Sequence, residues 1–494
     1  MKVTRLWVLC SPGKGSNLCL VDLKTLHATK VIFGLNSFMM SFIAADSFAN
    51  RDVFPLSSRI VQQQHEQHRR VFPTTDFLAH APGFSVIQNL FWRNGTFYFV
   101  TDQPWHIPPV TQVVSLSTDR TRKFEAGRVA AKIKAIRLPP VSPEVKEQNQ
   151  IGETISLEDA EREFGVAGVI GGPMIINNDD NFTAHYYHWI GEMFLGAWRI
   201  WNHYGWRTGA KLPEIQRIAY MKQYSKDEAP ADAKPGQDYF NDKPGANVWF
   251  IDKFFPGVQW DTKSTWDERA ATNKTFRITT AILADRSAGH SGPSSAYKPF
   301  GDVLRLPVSP DWLVGLKHRI VADYHGPTPL TMPDKPLVLY LQRQTDGRRL
   351  VEEDHEALIK DLYKLQDDGI AEVALEAFNS SMAFDEQVAR ISRATILVGV
   401  HGNGLTHSLW MTPTRLSAVF EFQPRACTIT DYSPLATAAG IQHYLVHETD
   451  FCRPLDCPKR GCEGPIGLIN GVIHLDPRVV TDEIRRILVD NVST

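Results

Sequence analysis

His185, His188 and Glu192 stand at positions i, i+3 and i+7 of the stretch HYYHWIGE, a spacing that brings all three to one face of a helix. Imidazole titrates near neutral pH, which suits a base that takes a proton from a hydroxyl. A carboxylate one turn further on can orient and polarise the ring. His188 is therefore the expected base or acceptor-positioning group, with Glu192 in support and His185 beside it. A histidine buried in an aromatic-rich helix and bonded to backbone is the alternative. A metal site is not expected from this trio, because the spacing is not H-E-x-x-H and no third ligand is evident. The stretch NNDDN (Asn177 to Asn181) just upstream offers carboxylates but reads as a solvated loop.

A second set lies near the end of the chain. The stretch GVHGNGLTHSLWM (Gly399 to Met411) follows the β-branched apolar run ATILV (Ala394 to Val398). Gly399, Gly402 and Gly404 permit close backbone approach and unusual φ values, and a short helix is expected from about Leu405. The exposed N–H groups of such a helix attract anions, phosphate above all. His401 adds a donor, and Asn403 lies between the glycines. Arg343 follows an earlier strand, while Arg348 and Arg349 open the next helix; a guanidinium fork matches phosphate oxygens in pairs. Glu421, in a later strand, is placed to accept from two ribose hydroxyls. Taken singly, these residues fit a glycine turn and solvated loop ends. Taken together, they describe a nucleoside-diphosphate site.

The elements that must position them follow from periodicity. LVLYLQ (Leu337 to Gln342), IAEVAL (Ile370 to Leu375), TILVGV (Thr395 to Val400) and SAVFEF (Ser417 to Phe422) read as buried strands. VEEDHEALIKDLYKL (Val351 to Leu365) and AFDEQVARISRA (Ala383 to Ala394) read as amphipathic helices between them. Strands alternating with helices at this spacing imply βαβ units and a parallel sheet, whose ligands bind beyond the carboxyl ends of the strands. Arg343, the His401 loop and Glu421 all fall there. Upstream, Asn94-Gly95 between aromatic runs signals a hairpin, and VAGVIGGPMIINN (Val166 to Asn178) a strand broken by Gly171 and Gly172. A helix is expected to run from the HYYHW stretch to Gly205, and an exposed insertion is expected over Ser225 to Asn247. The proline-rich Tyr324 to Pro336 reads as a linker. The expected division is an N-terminal acceptor-side domain over 1–325, a C-terminal Rossmann-like nucleotide domain over 326–430, and a cysteine-containing segment with a closing helix over 431–494.

Composition narrows the class. The 494 residues are 43% hydrophobic and 22% charged, enough for two domains with full cores. Fifty-three basic side chains face 55 acidic ones, so there is no basic excess of the kind a nucleic-acid binder shows. No stretch reaches the roughly 20 apolar residues that span a bilayer. VIFGLNSFMMSFIAA (Val31 to Ala45) comes nearest and reads as a buried segment, with a membrane anchor expected only upstream of this chain. Of the cysteines, Cys452, Cys457 and Cys462 are too widely spaced for C-x-x-C zinc pairs and read as a disulfide-stapled loop in an oxidising compartment. Five N-x-S/T triplets, at Asn94, Asn181, Asn273, Asn379 and Asn491, point the same way.

The run LVLYLQRQTDGRRL … MAFDEQVARISRATILVGVHGNGLTHSLWMTP … AVFEFQP resembles the signature region of glycosyltransferase family 61. HYYHWIGE and the Asn94-Gly95 hairpin extend the resemblance more weakly. It implies an α/β fold of GT-B type, two Rossmann-like domains facing across a cleft. It also implies inverting, metal-independent transfer from a UDP-sugar, UDP-xylose or UDP-N-acetylglucosamine leading, to a glycan or glycoprotein hydroxyl. Location in the Golgi or endoplasmic reticulum follows by the same resemblance. The chain contains no D-x-D triplet, the usual means of holding a divalent cation on the diphosphate. Family roles carry over to Arg343, Arg348, Gln387, His401, Gly402, Gly404 and Glu421, although Gln387 also suits a structural hydrogen bond. Two positions depart from the family pattern: Asn403 replaces an alanine and Glu352 an asparagine. The first is expected to bear on sugar identity. A carbohydrate-binding or chaperone-like protein with an inactive fold of the same type is the competing expectation.

Overall fold

The structure is a computed structural model that describes residues 5–10, 17–22 and 72–490, apart from 102–105, 115–131, 138–152, 155–156, 179–184, 295–299, 326–334, 458–470 and shorter gaps. The apolar stretch 31–45, most of the 324–336 linker and the sequons at Asn181, Asn379 and Asn491 lie outside the described residues. The chain divides into two compact units, Met1–Pro55 and Leu56–Thr494. In the first, Arg5–Cys10 and Asn17–Asp22 pair as an antiparallel hairpin.

The second unit holds two α/β sheets. The C-terminal one has six strands, in the spatial order Glu372–Glu376, Leu337–Leu341, Ile396–Val400, Ala418–Phe422, Gln442–His447 and Asp450–Cys452. All pairs are parallel except the last. In chain order this is 2-1-3-4-5 with an antiparallel edge, a doubly wound arrangement. The strand Ile396–Val400 is buried at every residue, as a strand covered on both faces by helices must be. The helix Glu352–Asp367 begins with Glu352, Glu353 and Asp354, which complement the positive end of its dipole. Glu352 also accepts from Gln344 Nε2 at 3.0 Å, which gives the departure at that position a local structural use. The sheet runs on beyond residue 430. Gln442–His447 extends it, and the closing helix Pro477–Asp490 shares a core with Glu352–Asp367 through Ile484, Ile487, Leu358 and Leu362.

The N-terminal sheet has ten strands. Its central strand Phe276–Ala284 pairs in parallel with Met174–Asn177 and antiparallel with Phe84–Arg93. The expected hairpin is present: Phe84–Arg93 turns into Thr96–Thr101 through Asn94 and Gly95, both at positive φ (44° and 73°), as a type I′ turn requires. Gly168–Ile170 and Met174–Asn177 form the two halves of the expected broken strand.

Two expectations need correction. The helix after HYYH does not stop at Gly205 but continues to Thr208 and ends at Gly209, φ 68°. Gly205 is small for another reason, since a Cβ there would lie 2.7 Å from Leu212 Cγ. The region 225–247 is exposed only in its first part; Phe240, Asp242 and Asn247 are buried, and Phe240 stacks on Tyr220 at 4.3 Å.

One apolar core joins the two sheets' halves. Trp189, Phe194 and Phe250 from the N-terminal side meet Leu405, Trp410 and Leu435 from the C-terminal side. Phe250 stacks on Trp410 at 5.2 Å. Each such buried aromatic contributes about 2–3 kcal/mol of hydrophobic stabilisation. Between them runs a satisfied polar chain. Trp410 Nε1 donates to Tyr186 Oη at 2.8 Å, Tyr186 Oη lies 3.4 Å from His407 Nδ1, and His407 Nε2 lies 3.2 Å from Gln387 Oε1. Burial pushes His407 down to about 3, so it stays neutral in this chain. Gln387 thus acts as a structural hydrogen-bonding residue, with its amide donating to Met382 O at 2.9 Å.

Candidate active site at the switch point and the facing helix

In a 2-1-3 strand order the chain leaves the first and third strands in opposite directions, which opens a crevice beyond their carboxyl ends. Here those ends are Leu341, followed by Arg343, and Val400, followed by His401. Arg343 Nη1 donates to His401 O at 3.1 Å, so the guanidinium is fastened to the loop it was expected to assist. Gly402 makes room for it: a Cβ there would overlap Arg343 Nη1. Gly404 is small because a Cβ would lie 2.6 Å from Leu341 Cδ2. Gly402 is extended (φ 164°), and none of Gly399, Gly402 and Gly404 is left-handed, so close approach rather than unusual backbone is what the loop asks of them. The helix that follows, Asn403–Trp410, is of 3-10 type and carries the buried Leu405 into the core. At its far end Lys317, buried, donates to Met411 O at 2.8 Å and is lowered to about 7 by burial.

Arg348 stands close enough to Arg343 for the two cations to act on each other. Its pKa is lowered by burial first and by Arg343 second, while Tyr432, Asp431 and Glu421 offset the effect. Two partly buried guanidiniums at one strand end create a place where a dianion is favoured. Arg349 is exposed, and its backbone pairs in parallel with Val472.

His401 and Glu421, from neighbouring strand ends, lie side by side. Glu421 is 0% exposed and faces His401 Nδ1, Gln423 Nε2 at 2.7 Å and His443 Nε2 at 3.0 Å. Burial alone would raise its pKa, but His401 and His443 outweigh that and hold it at about 2. Its Oε1 is shared by His401 and Gln423, so the carboxylate holds the His401 ring in place. His401 is 3% exposed, with Nδ1 on Glu421 and Nε2 3.9 Å from Asp431 Oδ2. Through Nδ1 the ring ties the loop after one strand to the neighbouring strand that carries Glu421. Asn403 is exposed, and its Oδ1 accepts from Tyr187 N–H at 3.1 Å, tying the loop to the start of the facing helix.

That helix carries the first cluster. It begins as a π-helix over Tyr187–Phe194, with Leu195 N–H reaching Ile190 O five residues back, then continues as α-helix over Leu195–Thr208. π-turns of this kind are rare and concentrate at functional sites. The wider turn keeps residues four apart nearly in line, and His188 Nδ1 lies 2.6 Å from Glu192 Oε2. The His188 side chain is 25% exposed, that of Glu192 3%. Arg286 Nη1 donates to Glu192 Oε2 at 2.8 Å. His185 packs 4.8 Å from His188, ring to ring, and keeps an exposed surface. Crowding by its surroundings and then the charge of His188 lower it to about 4, against the pull of Glu192 and Asp431.

Asp431 bears on both clusters, through His185 and Tyr187 on one side and His401, Arg348 and Tyr432 on the other. The fold therefore brings the two sets of residues to one place. Asp431, Arg286, Gln423 and His443 were not among the expected site residues. They are single polar residues without motif context, and only His443, inside the apolar run of a strand, left a signal that sequence reading could have used. Among the described residues, no group of three or more His, Cys, Asp or Glu side chains is placed to hold a metal ion. No helix among them is long and apolar enough to cross a membrane. Cys452 and Cys457 form a disulfide, and Cys427 is disulfide-bonded as well.

Comparison with known proteins agrees with the geometry. No curated protein matches the chain. Among solved structures, it is similar to the ADP-heptose LPS heptosyltransferase II of E. coli, at 12% identity over 73% of this chain and 91% of that one, with a TM-score of 0.23. At that score the likeness adds nothing to the site. Residues 186–417 match the family model described as Glycosyltransferase 61, a span that runs from the His188 helix through the Arg343 strand and the His401 loop. Over those residues, a little under half of its length, the chain is similar to glycosyltransferase family 61, and the match supports glycosyltransferase activity.

Proposed function

We propose that the protein transfers a sugar, with inversion, from a UDP-sugar to a hydroxyl of a glycan or glycoprotein, without a divalent metal. UDP-xylose and UDP-N-acetylglucosamine are the leading donors. The observation that carries the reading is Arg343, fastened to His401 O at the switch point, in space that Gly402 leaves open, with Arg348 beside it. Fixed cations and backbone N–H groups of the 403–410 turn neutralise a leaving diphosphate there, the task a metal performs elsewhere. The absence of a D-x-D triplet supports the same assignment.

In the proposed step the acceptor oxygen attacks the anomeric carbon from the face opposite the diphosphate. The bond from that carbon to the diphosphate oxygen breaks, and its electron pair leaves with UDP. The acceptor's proton passes to His188. With Glu192 accepting at Nδ1, the neutral ring is basic at Nε2, and the carboxylate stabilises the imidazolium that forms. The proton is then released to solvent. Residence in the secretory pathway is part of the proposal, supported by the disulfide at Cys452–Cys457.

The test is a panel of nucleotides and nucleotide sugars in thermal-shift and turnover assays, with and without chelator. Stabilisation by UDP that survives chelation, with turnover of one UDP-sugar, is the expected result. No stabilisation by any nucleotide, or strict dependence on manganese, overturns the reading.

A further inference from the structure

A carboxylate as buried as Glu192 is costly unless a cation accompanies it. Arg286 supplies that cation from another part of the fold, with Nη1 2.8 Å from Glu192 Oε2 and 3.4 Å from His188 Nδ1. The arginine side chain is only 12% exposed. It opens the short helix Arg286–Gly289, directly after the central strand Phe276–Ala284. Asp285 caps that helix, accepting from Ala288 N–H through Oδ1 at 2.8 Å and from Asn178 Nδ2 through Oδ2, also at 2.8 Å. Asp285 is itself buried. The guanidinium is thus set by the middle of the N-terminal sheet, not by its own reach.

We propose that Arg286 is a positioning residue of the transfer reaction: it fixes Glu192 Oε2 against His188 Nδ1 and places a permanent positive charge beside the ring. This rests on His188 being the base. Among the described residues, the charged and titratable groups facing His188 include Glu192 on its own helix, His185 and Tyr187 beside it, and Arg286 across from it. Asp431, from the C-terminal half, bears on His185 and Tyr187. In this set Arg286 is the permanent cation closest to the ring, and a like charge disfavours the imidazolium. Without it, Glu192 would serve the ring alone.

The experiment uses the full chain and its Arg286→Gln and Arg286→Lys variants. Diethyl pyrocarbonate, which acylates neutral imidazole, is applied across a pH series, and acylation at His188 is read by peptide mass spectrometry. In parallel, kcat/KM is followed against pH with the donor that the protein turns over. The expected result for Arg286→Gln is that the modification midpoint and the acidic limb of kcat/KM both rise by about one pH unit. Arg286→Lys should return both toward the original positions. A midpoint that stays put while kcat/KM falls evenly at all pH values overturns the proposal. So does failure of both variants to fold, which would make Arg286 a structural post. Failure of the donor reading shows separately, as absence of UDP stabilisation in the unsubstituted protein, and the His188 acylation curve still decides the role of Arg286.

Discussion

Two histidines next to carboxylates sit on either side of this molecule's junction, and they are built differently. His401, after a strand of the C-terminal sheet, is 3% exposed and closed in by Glu421 at one nitrogen and Asp431 at the other. His188, on the π-turn of the facing helix, has a side chain 25% exposed and one carboxylate, shared with an arginine. A ring inside the core, bonded to a fully buried carboxylate, is suited to bracing the loop. A ring with one carboxylate, a neighbouring cation and access to solvent is suited to exchanging protons. Pairing with a carboxylate is common to both; exposure and the third charge separate them.

The largest effect should come from the accessible ring. His188→Ala is expected to lower kcat/KM by about 10²–10⁴-fold, as loss of a general base does. UDP stabilisation should survive in a thermal-shift assay; its loss would erase the contrast and place His188 in the core. Next comes the sealed pair. Glu421→Gln leaves His401 and His443 without their carboxylate and should cost about 3 kcal/mol in denaturant unfolding. The pH sign follows from a folded pKa depressed from 4.5 to about 2. The stabilisation is complete above about 4.5 and is lost as pH falls toward 2, so the melting-temperature gap between native and variant should close over that window. A gap that widens there would contradict the assignment of Glu421 as the ionised anchor.

Gly402→Ala sharpens the role of the loop. The added methyl meets the end of a flexible arginine side chain, which can swing aside, so the melting temperature should change little. UDP affinity should fall about tenfold, or about 1.4 kcal/mol, by calorimetry. Combining it with Arg343→Ala should add almost nothing, since both remove the same contact. The smallest effect is expected for Asn403→Ala. It removes the acceptor for Tyr187 N–H and should cost about 1 kcal/mol of stability while leaving donor preference unchanged. A switch in preferred sugar would restore the reading in which Asn403 touches the donor.

Much of the C-terminal half was legible along the chain. Buried strands of β-branched residues alternating with amphipathic helices are local patterns, and they located the strand ends near Arg343 and His401 within a residue or two. The Asn94-Gly95 hairpin was equally local, because only a few residues tolerate paired positive φ. Less legible was the kind of helix. A π-turn at Tyr187–Phe194 depends on packing against the C-terminal half, where Gly191 lies against Leu435, and on the bond from Tyr187 N–H to Asn403. Helical periodicity alone cannot register that.

The amino-acid sequence by itself determined the two chemical sets, the doubly wound half and the family resemblance, since these rest on residue type and short-range spacing. The tertiary structure alone decided which members pair with one another. Glu421 and His401, far apart in type and twenty residues apart in the chain, meet in the core, with Gln423 on the same carboxylate oxygen. Arg286 carries no motif yet lies 2.8 Å from Glu192, some ninety residues away in the chain. Burial and long-range pairing set whether a charged group is available, and both are properties of the assembled core rather than of any stretch of chain.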